Sequence, residues 1–133
     1  MDSVFKIERL KSRPQFLAAA KGVSEARGAV VVQRLDRGDG DPVVRLGFTA
    51  TRKVGNAVIR NRAKRRLREA ARAAAPLLAV PGSDYVFIAR MGTADRPWDR
   101  LLDDVKSALT RLATPRPAPK SAPSPPAPAG QDS

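Results

Sequence analysis

Between Asn56 and Ala75 the chain runs without a single glycine or proline, in a segment built mostly of Ala, Arg and Leu. Residues of this kind lose little rotamer freedom on coiling, so the stretch predicts a helix of about five turns. Pro76 marks its expected end. A helix this long has to bury one side and solvate the other. With about 100° between successive side chains, Ile59, Ala63, Leu67, Ala70 and Ala74 form an apolar stripe that can lie on a sheet. Arg60, Lys64, Arg68 and Arg72 form a row beside that stripe, with Asn61 and Arg65 on the same outward side. Arg62 and Arg66 border its far flank, so cations line the helix on both sides.

The remaining elements are fitted around this helix. Ser12 followed by Gln15 reads as a capping box for a short first helix ending near Gly22, with Phe16, Leu17 and Ala20 on one side. Ala29 to Leu35 is rich in β-branched residues, and Val43 to Thr51 alternates, placing Val44, Leu46, Phe48 and Ala50 on one face. Turn chemistry in DRGDGDP between them predicts an antiparallel hairpin. Asp36, Asp39 and Asp41 in that turn faintly resemble a calcium loop, but no acid closes the motif, and a solvated turn is the reading taken. Asp84 to Arg90 reads as a third strand. Pro97 opens a last helix whose Trp98, Leu101, Leu102, Val105, Leu109 and Leu112 share a face. The expected order is α-β-β-α-β-α, an α/β (α+β) arrangement in one domain over residues 1–113. Residues 114–133 hold seven prolines among Ala and Ser, a composition expected to form a disordered tail.

Charge is concentrated in the middle of the chain. Of a formal +12, ten basic residues against Glu69 alone place +9 between Arg45 and Arg72. Like charges at steps of four cost a helix about 0.2–0.5 kcal/mol per pair, and the row from Arg60 to Arg72 contains three such pairs. A solvated helical face normally mixes signs, and an isolated protein gains nothing from this one. A polyanion repays the cost. Arginine outnumbers lysine here, and its planar fork can hold two phosphate oxygens at once. Arg52 and Lys53 lie just ahead of the helix, Gly55 allows the turn into it, and the free N–H groups near Asn56 and Ala57 add positive potential. Nucleic acid is the partner this pattern indicates.

Cysteine and histidine are both absent, which removes disulfides, thiol nucleophiles, the usual zinc ligands and the commonest general base. The opening MDSVFKIERL has no apolar run for a signal peptide or membrane span, so a cytoplasmic location is the default expectation. A nuclease acting through bound metal would need clustered carboxylates. The acids at 36–41, Asp84, Asp99, Asp103 and Asp104 are instead read as solvated and far from the basic segment.

The segment RLGFTATRKVGNAVIRNRAKRRLREA, Arg45 to Ala70, resembles the protein component of bacterial ribonuclease P, and RLKSRPQFLAAAKG and DYVFIAR extend the resemblance more weakly. That family is a two-layer α/β sandwich like the second domain of ribosomal protein S5, with a left-handed β-α-β crossover around the basic helix. The resemblance implies an accessory subunit that binds ribonuclease P RNA and the 5′ leader of precursor transfer RNA. The RNA carries the chemistry, and the protein alone is not catalytic. Carried over to this chain, the RNA-binding set is Arg52, Lys53, Asn56, Arg60, Asn61, Arg62, Lys64, Arg65, Arg66 and Arg68, and the leader cleft includes Phe16, Val31 and Gln33. Two further aromatic positions of that cleft are Ala20 and Gln33 here, and Ala63 replaces a larger aliphatic residue. The resemblance implies no cofactor or metal on the protein alone, Mg2+ in the RNA-containing holoenzyme, and neither a membrane nor a small-molecule substrate as partner. A ribosomal or architectural protein of similar charge is the competing reading, because phosphate contacts do not identify the RNA they hold.

Overall fold

A run of seven residues, Ser83–Ala89 (β5), is covered on both faces with only Ile88 half-buried, as expected of a strand at the centre of a sheet. The computed structural model describes residues 6–113. Around β5 it arranges β1 (Ile7–Arg9), β2 (Val23–Arg27), β3 (Val30–Asp36) and β4 (Val44–Thr49) in the order β1-β4-β5-β3-β2. Strand β4 runs parallel to both β1 and β5, whereas β3 is antiparallel to β5 and β2. Helices α2 (Ala57–Leu78) and α3 (Trp98–Ala113) pack on one face, and α1 (Arg13–Ala19) covers part of the other. The result is a two-layer α/β sandwich in which α2 connects the adjacent parallel strands β4 and β5.

The larger core lies between α2, α3 and the sheet, with Val30, Val32, Val44, Tyr85 and Phe87 from the strands meeting Leu67, Leu101, Val105 and Leu109 from the helices. A smaller cluster of Leu10, Ala19 and Val86, with Phe16, Leu35 and Ile88 against it, holds α1 on the far face. Gln15 Oε1 accepts the N–H groups of Lys11 and Ser12, which starts α1 as the sequence predicts. The buried residue of that helix is Ala19, however, while Leu17 and Ala20 face solvent.

Four expectations need correction. Two additional strands exist, so the order is β-α-β-β-β-α-β-α. Both lie at sheet edges, where β1 is exposed throughout and β2 has only two half-buried residues, so neither carries a hydrophobic alternation to read. Second, β3 and β4 do not form a hairpin, because β5 lies between them. The observed hairpin joins β2 to β3 through Gly28, at φ 49°, and Ala29. Third, α2 continues past Pro76 to Leu78, and Ala79 N–H donates to the Ala75 carbonyl at 2.9 Å. Proline removes the bond to the carbonyl four residues back and crowds that carbonyl, and the residue concerned, Arg72, sits on the wet side of the helix, where the carbonyl can turn to water.

Fourth, two carboxylates read as solvated are buried. Asp84 receives Arg37 Nη1 at 2.7 Å and Arg45 Nε at 2.8 Å. Burial disfavours the Arg37 cation, but the Asp84 and Asp39 carboxylates outweigh it and raise its pKa above the ordinary value. Asp104 accepts the Ala29 N–H at 3.1 Å and the Arg96 guanidinium, pinning the β2–β3 turn to α3. The turn at 36–41 is the exposed one that the sequence predicts. Asp36, Asp39 and Asp41 each accept the backbone N–H two residues on. The Asp41 N–H and the Arg37 guanidinium hold the Asp39 carboxyl below its usual range.

Candidate nucleic-acid interface

The basic helix starts where β4 ends. A single 3-10 turn, Arg52–Val54, leads to Gly55 at φ 147°, where a Cβ would lie 3.0 Å from the Ile59 side chain. Asn56 then caps α2, its Oδ1 accepting the Ile59 N–H at 3.0 Å. Ala63, Leu67, Ala70, Ala71, Ala74 and Ala75 are buried against the core, which confirms the apolar stripe except at its first member. Ile59 remains 38% exposed, and Trp98 at the start of α3 is 44% exposed. A helical stripe defines which side faces the core and is silent on how far along the helix the core extends.

The cations divide between the two flanks of that stripe. Arg60, Lys64 and Arg68 are half-buried along one side, and Arg72, Arg65 and Asn61 are exposed. Among the described residues, no acid lies within ion-pair distance of Arg52, Lys53, Arg60, Lys64, Arg65 or Arg68. The helix's ion pairs are Arg62 with Asp95 at 3.3 Å and Arg72 with Glu69 at 3.9 Å, all four side chains at least half exposed. Pairs so exposed are weak and easily exchanged for another anion. Arg66 differs from the rest. Its guanidinium donates to the carbonyls of Thr93 and Arg96, so this side chain ties α2 to the loop before α3 and its fork is already occupied. Arg68 lies over the Phe48 ring at 5.7 Å from its centre.

On the opposite face of the sheet, alternation along β3 brings Val31 and Gln33 to the side that α1 only partly covers. They pair with Ile88 and Val86 of β5, which belong to the cluster around Phe16. The Phe16 ring packs against Gly47 of β4, where an added Cβ would come within 2.6 Å of its Cε2 and Cζ. Phe16, Val31 and Gln33 therefore share one partly open surface. Thr49 and Val31 both align with Ile88 near the end of β4, so this surface reaches the place where the chain turns into Arg52 and α2. Among the described residues, no group of three or more acids or other metal-binding side chains converges, and no helix is long and apolar enough to cross a membrane.

A family model described as Ribonuclease P matches residues 5–113. The chain belongs to the bacterial ribonuclease P protein family. It is thus the protein component of a transfer-RNA-processing enzyme. The ribonuclease P protein component of Caulobacter vibrioides is 65% identical over 108 residues, covering 81% of this chain and 72% of that protein. The component of Ruegeria pomeroyi is 50% identical over 113 residues, covering 84% and 90%. The solved ribonuclease P protein of Staphylococcus aureus superposes with a TM-score of 0.66 at 28% identity, covering 78% of this chain and 94% of that one. The Thermotoga maritima protein gives 0.66 at 29% identity, covering 77% and 96%. The fold expected from the Arg45 to Ala70 motif is the one found. Arg9 and Arg72, which the RNA-binding set omits, flank a groove on the α2 side. The first sits on an edge strand that leaves no pattern in the sequence.

Proposed function

We propose that this ribonuclease P protein binds the catalytic RNA subunit along α2 and the 5′ leader of precursor transfer RNA on the open sheet face. Supporting the first part is the set of cations on and just before α2 that have no acidic partner among the described residues. Cations left without internal neutralisation are a cost that a phosphate backbone removes. The binding set is Arg52, Lys53, Asn56, Arg60, Asn61, Arg62, Lys64, Arg65 and Arg68. Arg66 acts instead as a brace within the protein.

Phe16 offers one aromatic surface to unpaired bases, with Val31 and Gln33 beside it on the same face. Ala20 and Gln33 supply no further rings, so leader contacts rest on a single stacking surface and on polar groups. Hydrolysis belongs to the RNA. Both buried carboxylates are taken up by arginines, and the exposed Asp36, Asp39 and Asp41 hold their own turn. These residues do not fit a magnesium site, so the Mg2+ of the holoenzyme is assigned to RNA. The same reading puts the protein in the cytoplasm with its precursor substrate, without a membrane partner, small-molecule substrate or bound cofactor.

The test is the salt dependence of binding to the RNA subunit. Each phosphate contact contributes about 0.7–0.9 to the log-log slope, so changing Arg60, Lys64 and Arg65 together to Ala should flatten it by about 2 to 3. A slope equal to that of the unaltered protein would place the contacts elsewhere.

A further inference from the structure

A groove of about 310 Å³ runs between the edge strand β1 and the C-terminal half of α2, on the face of the sheet opposite Phe16. Its floor is apolar, formed by Leu46, Phe48 and Pro76, and its walls carry Arg9, Arg68 and Arg72. One face of the Phe48 ring is stacked on Phe87, with centroids 5.3 Å apart and planes 18° from parallel. Arg68 also lies over this ring, 5.7 Å from its centre, so a base reaching the floor meets the Phe48 edge and Leu46 beside that guanidinium. Three guanidinium groups around an aromatic and aliphatic floor match the two halves of a nucleotide, since the fork suits phosphate and the floor suits a base. At this volume the groove lies at the lower end of the about 300–1,000 Å³ typical of small-ligand pockets, enough for one nucleotide and too small for a helix.

We propose that this groove holds one unpaired nucleotide of the bound RNA, with its base on the Leu46–Phe48 floor and its phosphate between Arg68 and Arg72. The inference rests on the reading that RNA lies along α2, since Arg68 and Arg72 are the last two members of the row that begins at Arg60. An RNA strand following that row arrives at the groove. Among the described residues, Glu8 is the one acid that lines the groove, against three arginines. The Glu69–Arg72 contact at 3.9 Å is exposed and leaves Arg72 able to turn toward phosphate. Continuous double-stranded RNA offers no base to such a site, so the nucleotide must come from a bulge, a loop or a strand end.

Two measurements on the full chain test this. In the first, a uridine trinucleotide is titrated into isotope-labelled protein while the Ile7 methyl and Phe48 ring signals are followed. Both should move together and saturably. Movement confined to the Phe16 and Val31 surface, or none at millimolar probe, overturns the proposal. In the second, Ile7→Glu places a negative charge at the exposed mouth, and Val23→Glu makes the same charge change at the opposite edge of the sheet. Ile7→Glu should weaken binding to the RNA subunit about tenfold more than Val23→Glu does, and Arg72→Ala should lower the salt slope by about 0.7–0.9. Equal effects from the two glutamate variants refute the groove. If they are equal while the Arg60, Lys64 and Arg65 change still flattens the slope, α2 remains the RNA-binding helix and only the groove is lost.

Discussion

Gly47 decides whether Phe16 can lie on the sheet. A methyl group at this position would stand 2.6 Å from Cε2 and Cζ of Phe16 and 2.9 Å from Cδ1 of Leu10. Carbon atoms pack best at about 3.5–4.0 Å, so Gly47→Ala must lift the ring or displace α1. In an ordinary strand interior the same change is favourable by about 0.5–1 kcal/mol, because glycine has more backbone freedom to lose. Overpacking costs about 1–3 kcal/mol, and contacts this short put it toward the upper end, for a net destabilisation of up to about 2.5 kcal/mol. Urea unfolding of the full chain should show a lower midpoint with an unchanged m-value. The decisive comparison uses Phe16→Ala, which removes the ring that obstructs the methyl. In that background Gly47→Ala should cost much less, giving a coupling of about 1 kcal/mol or more. An equal cost in both backgrounds would refute the reasoning, since the penalty would then be independent of Phe16. On the proposed reading that the leader lies on this face, its binding should fall with Gly47→Ala as well, because the Phe16 ring is displaced.

Breaking the buried Asp84 cluster by Asp84→Asn leaves Arg37, whose side chain is only 6% exposed, short of its counter-charge. Loss of one partner from such a pair costs about 3–5 kcal/mol, and a change below 1 kcal/mol in chemical denaturation would show that the charges are solvated after all. Burial raises the Tyr85 phenol above its ordinary pKa of 10.0. The unfolded chain therefore loses this proton at lower pH than the native one, and stability falls as pH rises from the unfolded value through the native value. Unfolding midpoints measured above about pH 10 should decline less steeply for Tyr85→Phe than for the unaltered protein. A decline equally steep in both would assign the alkaline loss to other groups.

Much of the candidate interface is legible in the chain itself, because helical periodicity is a local property. Residues 57 to 75 carry their own geometry, and the partition of Ala63, Leu67, Ala70 and Ala74 from Arg60, Lys64 and Arg65 needs no knowledge of the rest of the molecule. Alternation in Val44, Leu46 and Phe48 likewise identified a buried face in advance. The edge strands were not legible, since β1 is wholly exposed and β2 nearly so, and solvent accepts almost any side chain. Nor was the difference between Arg66 and Arg65, which are neighbours in sequence. One reaches the Thr93 and Arg96 carbonyls across the α2–α3 contact and the other extends into water.

By itself, then, the amino-acid order determines one amphipathic helix, the concentration of positive charge on it, and the family motif that runs from Arg45 to Ala70. Tertiary structure alone decides that β5 separates β3 from β4, that Asp84 and Asp104 are enclosed by arginines, and that Phe48, Arg68 and Arg72 meet across a groove. The division has a physical cause. A helix satisfies its backbone hydrogen bonds from residues four apart, whereas a strand takes its partners from anywhere in the chain, and a buried ion pair exists only once distant segments have expelled the water between them.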